Sequence, residues 1–110
     1  MDALALLVIS AGGARFGVPL EQVAGVGPAA PGDEPLGARL GLAPGLPGWT
    51  VTTRSGARLA VEEGRELLDL PLDALRRLPS VLRSRALPAA VGAALFGDGL
   101  LVVLDLERLP

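Results

Sequence analysis

The sequence contains no cysteine, histidine, tyrosine or lysine, and each absence removes a class of chemistry. A chain without cysteine forms neither disulfides nor reactive thiolates, which fits a cytoplasmic protein. Without histidine, the serines have no ordinary base to activate them as nucleophiles. The carboxylates are dispersed along the chain, so they do not form the convergent ligand set that a metal ion needs. We therefore expect no enzyme activity, no metal site and no cofactor.

Aromatic residues and clustered charge are also scarce. With two phenylalanines and one tryptophan, the core has to be built from leucine, valine and alanine. The net charge is −2, and the basic residues, all arginine, are scattered, which argues against a nucleic-acid partner. The start, Met1-Asp2, is acidic where a secretory signal would be basic. Glycine, proline and aspartate interrupt the apolar runs, so we expect no membrane insertion, which needs about 20 apolar residues.

Two pairs of acidic residues and two glycine turns are the remaining candidates for chemistry. Glu62-Glu63 and Asp33-Glu34 are adjacent in sequence. Because neighbouring residues of a strand face opposite sides, neither pair forms an acid–base couple unaided. Residues 11–13 and 97–99 are glycine-rich, but neither has the spacing of a phosphate-binding loop. We interpret the acidic pairs as solvated and the glycines as hairpin turns.

The stretch from residue 89 onward predicts a β-hairpin followed by a short helix. Residues 89–96 are small and apolar, residues 100–104 are large and apolar, and the glycines between them supply the positive φ angles of a tight turn. Because the second strand does not alternate, we expect both of its faces to be covered. Asp105 is predicted to cap a terminal helix at 106–109.

The rest of the chain predicts further short strands, at residues 4–10, 14–20, 23–26, 49–54, 57–61 and 66–70. A short helix is predicted at 73–78, with an aspartate near its start and two arginines near its end. Residues 28–48 are rich in proline and glycine, and we interpret them as a loop or connector, with a disordered linker as the alternative. The connector would be packed by Leu36, Leu40, Leu42 and Leu46.

These elements describe one domain over residues 1–110 that is mainly β, a small barrel or pair of barrels with two short helices. A barrel of this size cannot bury every leucine and valine. Val23, Val26, Val91 and Leu95 lie in short or edge-like segments beside glycine. One hypothesis is that they form an exposed apolar groove for a partner helix, and the other is that all four are core residues.

Three stretches follow, in order, the pieces of a known family. LLVISAGGARFGVPLEQVAGV (6–26) has a strand, a glycine turn, an aromatic-Gly-apolar strand and a V-x-x-V piece. LAVEEGRELLDLPLDALRRLPSVL (59–82) has two strands and a short helix that ends in proline. AAVGAALFGDGLLVVLDLERLP (89–110) has a hairpin that ends in Leu-Asp-Leu-x-x-Leu. In this order they resemble CheW-like domains, the adaptors that join bacterial chemoreceptors to the histidine kinase CheA.

The resemblance implies an SH3-like fold of two β-barrel subdomains with a receptor-binding groove between them. The family's Asn-Leu-Arg-Gly and Pro-Val-x-Asp-Leu strands are not found, so we expect a truncated second barrel with residues 28–48 in place of the central strands. Gly25 stands where many members have an acidic residue. By this resemblance and the exposure argument, the receptor-binding residues are expected to be Val23, Gly25, Val26, Val91, Gly92 and Leu95.

We therefore expect a non-enzymatic scaffold of a chemosensory array that binds chemoreceptor tips in the cytoplasm. Kinase contact in the family uses barrel edges that the missing segment helps to build, so binding to CheA is expected to be weak or absent. The unpaired edges are expected to recruit a second copy, another CheW-like protein or a strand from residues 28–48. The alternatives are a small β-barrel that binds a small apolar ligand and a fragment of a larger protein.

Overall fold

A computed structural model describes residues 2–43, 45–78, 89–97 and 99–109, apart from the side chain of Arg65. These residues form two sheets, one short helix and three 3-10 turns, which confirms the prediction of a mainly β fold with short helices. Each predicted strand overlaps an observed one. In chain order the strands are β1 (Ala3–Ala11), β2 (Ala14–Pro19), β3 (Val23–Pro28), β4 (Glu34–Pro35), β5 (Trp49–Thr53), β6 (Arg58–Val61), β7 (Glu63–Pro71), β8 (Ala90–Phe96) and β9 (Gly99–Leu104).

The larger sheet has the strand order β7-β1-β2-β9-β8. β1 pairs antiparallel with β2 and β7, whereas β2 and β9 run parallel, with Phe16 opposite Val102. After β7 the chain reaches the outer edge of β8, where Arg76 and Ala93 exchange two backbone hydrogen bonds of 2.8 and 2.9 Å. The sheet is thereby curled toward closure, in the approximately SH3-like shape that was expected.

The larger sheet is covered on both faces because its central strands are apolar on both sides. Leu6 and Val8 of β1 pack with Leu101 and Val103 of β9 in one core. The intervening Val102 packs on the other face, so the prediction that both faces of this strand are covered is confirmed. The other face belongs to a second core, here called the inter-sheet core, which contains Leu7, Ile9, Ala11, Phe16, Val18, Val23, Leu36, Leu40, Val51, Leu59, Val61, Ala89, Leu104 and Leu106.

The closing hairpin has the predicted form. β8 and β9 are antiparallel with Phe96 opposite Gly99, and Gly97 has a φ of 62° in the loop between them. The other loop residue, Asp98, lies outside the described residues. The Asp105 side chain accepts a hydrogen bond from the Glu107 N–H at 3.0 Å and caps the chain's last turn. The predicted cap is confirmed, and the predicted helix is a single 3-10 turn at Leu106–Arg108.

The helix predicted at residues 73–78 is wrong. A 3-10 turn at Leu72–Ala74 ends in Leu75, which is extended with φ −78° and ψ 126°. Arg76 then pairs with Ala93 of β8. Hydrogen bonds to a strand that is distant in sequence therefore override the local helix preference of this segment.

The smaller sheet has the strand order β3-β5-β6-β4, and its last strand comes from the stretch interpreted as a connector. β4 pairs parallel with β6, with Glu34 opposite Leu59. The expectation that residues 28–48 supply a strand is confirmed. Helix α1 (Leu36–Arg39) follows β4 directly. This stretch is therefore part of the fold and not only a loop.

The four leucines predicted to pack the connector differ in exposure. Leu36 and Leu40 are buried in the inter-sheet core, and Leu42 packs against it. Leu46 is 90% exposed, so its predicted packing role is wrong. It stands between the glycines and prolines of the loop before β5, where its side chain faces solvent.

The turn between β1 and β2 packs under the α1 region and joins the two sheets. The N–H of Glu62 donates to the carbonyl of Ser10 at 2.8 Å, and the N–H of Gly13 donates to the Glu62 carboxylate at 3.4 Å. A Cβ at Gly37 would lie 3.2 Å from the backbone nitrogen of Gly12. Glycine at both positions is what lets the backbones approach this closely.

Asp33 fastens the residues before β4 to the smaller sheet. The Asp33 side chain is 5% exposed. Its carboxylate accepts hydrogen bonds from Arg58 Nε at 2.7 Å, from Thr50 Oγ1 and from the Ala30 N–H at 3.0 Å. The hydrogen bonds from Arg58 and Thr50 hold the pKa of Asp33 well below its ordinary value of 3.8. Asp33 therefore stays ionised in the folded chain where an unfolded chain would protonate it.

Replacing Asp33 with asparagine tests this anchor through the pH dependence of unfolding. In the unfolded chain the carboxylate takes up a proton near pH 3.8, whereas in the folded chain it does so only at lower pH. The stabilisation that ionised Asp33 gives the folded chain is therefore present above pH 3.8 and is lost as the pH falls below 3.8. We expect the unfolding midpoint in urea to drop more steeply below about pH 4 for the native chain than for D33N. Parallel curves for the two proteins would contradict the anchor.

Candidate interaction surface

Val23, Gly25 and Val26 lie on β3, an edge strand of the smaller sheet. Val23 is buried in the inter-sheet core, whereas Val26 is 42% exposed. Gly25 is exposed, and a Cβ built on it meets no atom within 4 Å. The Val26 side chain is therefore accessible to a partner, whereas Val23 anchors β3 in the inter-sheet core.

The start of β3 is held in place by the side chain of Gln22. Its amide nitrogen donates to Asp105 Oδ1 at 2.7 Å, and its carbonyl oxygen accepts from the Leu106 N–H at 2.8 Å. The backbone carbonyl of Gln22 also accepts from the Arg54 N–H at 3.0 Å. The edge strand is thereby tied both to the last turn of the described chain and to the end of β5.

Val91, Gly92 and Leu95 lie on β8, an edge strand of the larger sheet. Val91 is 49% exposed and Leu95 is 83% exposed. Gly92 is buried, and a Cβ there would lie 2.8 Å from Leu75 Cδ1 and 3.1 Å from the Arg76 carbonyl oxygen. Gly92 therefore makes room for the segment that pairs with β8, and the two larger side chains face solvent.

The exposed side chains of both strands continue the inner faces of their sheets. Val26 pairs with Val51, and directly paired residues share a face, so Val26 is on the side of the inter-sheet core. Leu95 pairs with Leu100, which shares a face with Val102, again on that side. Apolar surface thus extends outward from the inter-sheet core along both sheets.

The predicted residues do not all form one continuous strand surface. β3 and β8 belong to different sheets and, among the described residues, no strand pairing joins them. Leu95 lies about 13 Å along β8 from Val91, at about 3.3 Å per residue. It forms an exposed pair with Leu100, which is 44% exposed and was not predicted. The sequence signal that could have identified Leu100 is the tight turn at residue 97, because this turn places residue 100 opposite residue 95.

A cleft with a different lining lies elsewhere among the described residues. It is open to solvent, has a volume of about 440 Å³ and combines carboxylates, an arginine and an indole. This lining differs from the closed apolar pocket that binding of a small apolar ligand requires. The lining residues are Val8, Ser10, Arg15, Trp49, Glu63, Gly64 and Glu66.

The described ranges contain neither a cluster of metal-binding side chains nor a membrane-spanning helix. No group of three or more histidine, cysteine, aspartate or glutamate side chains there is placed to hold a metal ion. None of the helices in the described residues has the length and hydrophobicity that crossing a bilayer requires.

Comparison with known proteins shows a likeness of fold. No protein-family model matches the sequence, and no curated protein matches it. The structure is similar to the crystal structure of the scaffolding protein CheW from Thermoanaerobacter tengcongensis, with a TM-score of 0.75 and 13% sequence identity. The similarity covers 96% of this chain and 86% of the CheW chain. The two-sheet architecture of this chain is therefore a CheW-like fold.

Proposed function

We propose that this chain is a non-enzymatic scaffold or adaptor of a chemosensory array that binds the cytoplasmic tips of chemoreceptors. The main support for this proposal is the CheW-like fold, which extends over nearly the whole chain. The exposed apolar residues at the margins of both sheets support it, because apolar surface at the border of a packed core is typical of a site for a partner helix.

The proposed receptor surface comprises Val26 on β3 and Val91 and Leu95 on β8, and Leu100 extends it. Val23 and Gly92 contribute by packing, since both are buried. Gly25 contributes backbone without a side chain. Receptor signalling tips are helical bundles in the family that the sequence resembles, so an apolar helix face is the expected partner of these strand residues.

We also propose that binding to the kinase CheA is weak or absent. Among the described residues between β3 and β5, the one strand is the two-residue β4, which ends in Pro35. A short strand with a proline offers few free backbone groups for another chain. In the family that the sequence resembles, kinase contact uses barrel edges that the central segment helps to build, and a short β4 would weaken such a contact.

A two-partner titration tests both proposals. A receptor signalling-tip bundle is expected to bind, and a CheA regulatory domain is expected to give little or no heat in the same calorimeter. Val26→Asp and Leu95→Asp are each expected to weaken receptor binding by about tenfold or more, because each places a charge at a desolvated contact. Leu67→Asp is the matched control, since Leu67 is 65% exposed on β7, outside the proposed surface.

Circular dichroism has to show that each variant is folded before its affinity is compared. Unchanged receptor affinity in both folded variants would refute the proposed surface. Ordinary affinity for the kinase domain would refute the second proposal and leave the first intact.

A further inference from the structure

The open cleft of about 440 Å³ lies on the face of the larger sheet that carries Val8. Its volume is within the range of about 300–1,000 Å³ that is usual for small-molecule sites. Val8 of β1 pairs with Glu66 of β7, and Ser10 of β1 pairs with Glu63 of β7 and with Arg15 of β2. Directly paired residues share a face, so these five side chains line the cleft from one side of the sheet.

A β-bulge in β7 brings the two carboxylates of the cleft to the same side. Glu63 and Glu66 are three residues apart, so in a regular strand their side chains would point to opposite faces. The register between β1 and β7 shifts between Val8 and Ser10, and the extra residue of β7 returns both carboxylates to one face. Bulges often re-aim side chains beside functional sites. This bulge gives one end of the cleft two negative charges.

The two carboxylates are not neutralised by another side chain among the described residues. Glu63 and Glu66 are exposed, and neither takes part in any ion pair found there. Arg15 also lines the cleft, but its guanidinium carbon lies over the ring of Phe96, 5.7 Å from the ring centre. Arg15 and Glu63 are two strands apart, which is about 10 Å at about 4.8 Å per strand. The cleft therefore has a negative end and a positive end, with Ser10 between them.

The indole of Trp49 adds an aromatic wall to the cleft. Trp49 lines the cleft and also packs against the inter-sheet core, which holds the ring in place. The face of an indole attracts cations. A guanidinium group is planar, stacks on aromatic rings and forms paired hydrogen bonds with carboxylates, whereas an ammonium group is a compact, strongly hydrated charge. Two carboxylates beside an indole therefore suit a guanidinium better than an ammonium group.

We propose that this cleft binds the guanidinium group of arginine, either as the free amino acid or as a side chain of a peptide. The guanidinium lies between Glu63 and Glu66 and against Trp49. In free arginine the α-carboxylate at the other end of the ligand faces Arg15, a charge that peptide-bound arginine lacks. The cleft is open and its carboxylates are exposed, so binding is weak and falls as the salt concentration rises.

Titration with L-arginine, followed by the NMR signal of the Trp49 indole N–H, tests the site. The sequence has one tryptophan, so this signal has a unique assignment. We expect a saturable shift with L-arginine and none with L-citrulline, which has nearly the same shape without the charge. Glu63→Gln and Glu66→Gln are each expected to weaken binding by about threefold to tenfold, because each removes a charge-assisted contact. Asp69→Asn is the matched control, since it removes the same charge from β7 but Asp69 pairs with Ala5, on the opposite face.

N-acetyl-arginine amide distinguishes the two sources of the guanidinium. Stronger binding of L-arginine than of this blocked form indicates the free amino acid, and equal or stronger binding of the blocked form indicates a peptide.

The proposal is overturned if L-arginine gives no saturable shift or if L-citrulline binds equally well. Unchanged affinity in folded E63Q and E66Q, or an equal loss in D69N, overturns it as well. If the glutamine variants do not fold, the comparison of L-arginine with L-citrulline in the native chain decides alone. No receptor is involved, so failure of the arginine site leaves the proposed function standing.

Discussion

Replacing Leu36 with alanine is expected to lower the free energy of unfolding by about 2–5 kcal/mol. Leu36 opens helix α1 and is fully buried in the inter-sheet core. Truncation removes its apolar contacts and leaves a cavity between the sheets, which a surrounding β structure closes only in part. Guanidinium unfolding followed by the fluorescence of Trp49 measures the effect, because this single tryptophan packs against the same core.

Leu46→Ala is the matched control for L36A. It makes the same chemical change in the same proline- and glycine-rich stretch, but Leu46 is 90% exposed. We expect its unfolding free energy to stay within about 0.5 kcal/mol of the native chain. Equal losses in the two variants would mean that residues 28–48 are not anchored by α1.

Replacing Gly12 with alanine is expected to lower the unfolding free energy by about 2–5 kcal/mol, from backbone strain and overpacking together. Gly12 has a φ of 59°, which is unfavourable for alanine. The new Cβ would also lie 2.4 Å from the Cβ of Leu42, so the turn and the α1 region would have to separate. Chemical unfolding measures the loss, and hydrogen exchange at residues 36–42 locates it.

Gly13→Ala separates the two causes. Gly13 has a φ of 79°, but a Cβ there meets nothing within 4 Å. Only the strain of a left-handed backbone remains, so about 1–2 kcal/mol is expected. If both alanine variants lose the same stability, the close packing of Gly12 against Leu42 contributes nothing measurable.

Strands that are buried on both faces could be predicted from the sequence alone. The run at residues 100–104 has no polar member, and the structure places Leu101 and Val103 in one core and Val102 against the other. A continuous apolar run is typical of a strand between two layers, because no side of it can face water at low cost. The capping aspartate before the last turn was predictable for a similar reason, since the interaction is local.

The positions of the elements within residues 28–48 could not be predicted, although a strand from this stretch was expected, because the elements are too short to show a period. β4 has two residues and α1 has four, so neither repeats an apolar position. Their existence depends on partners elsewhere, namely Leu59 beside β4 and the Arg58 and Thr50 side chains on Asp33. These contacts join residues that are distant in sequence, so they cannot be predicted from the local sequence pattern.

The exposure of the predicted surface residues likewise could not be predicted from the alternation of apolar residues in the sequence. Strict alternation would put residues 23 and 26 on opposite faces. A bulge between Val23 and Gly25 returns both to one face, and position in the sheet then decides their burial. Val23 shares the inter-sheet core with Leu106, whereas Val26 is at the open margin. That these residues contact a receptor stays a prediction.

The parallel pairing of β2 with β9 has a consequence for synthesis on the ribosome. Phe16 emerges early, but the strand that carries its neighbour Val102 is translated near the end of this sequence. The nascent chain therefore lacks the parallel partner of β2 until β9 has left the exit tunnel. Non-local contacts of this kind slow folding, and they expose intermediates to aggregation. Chaperone demand during translation should accordingly fall when β9 is supplied in trans or moved ahead of β1 by circular permutation.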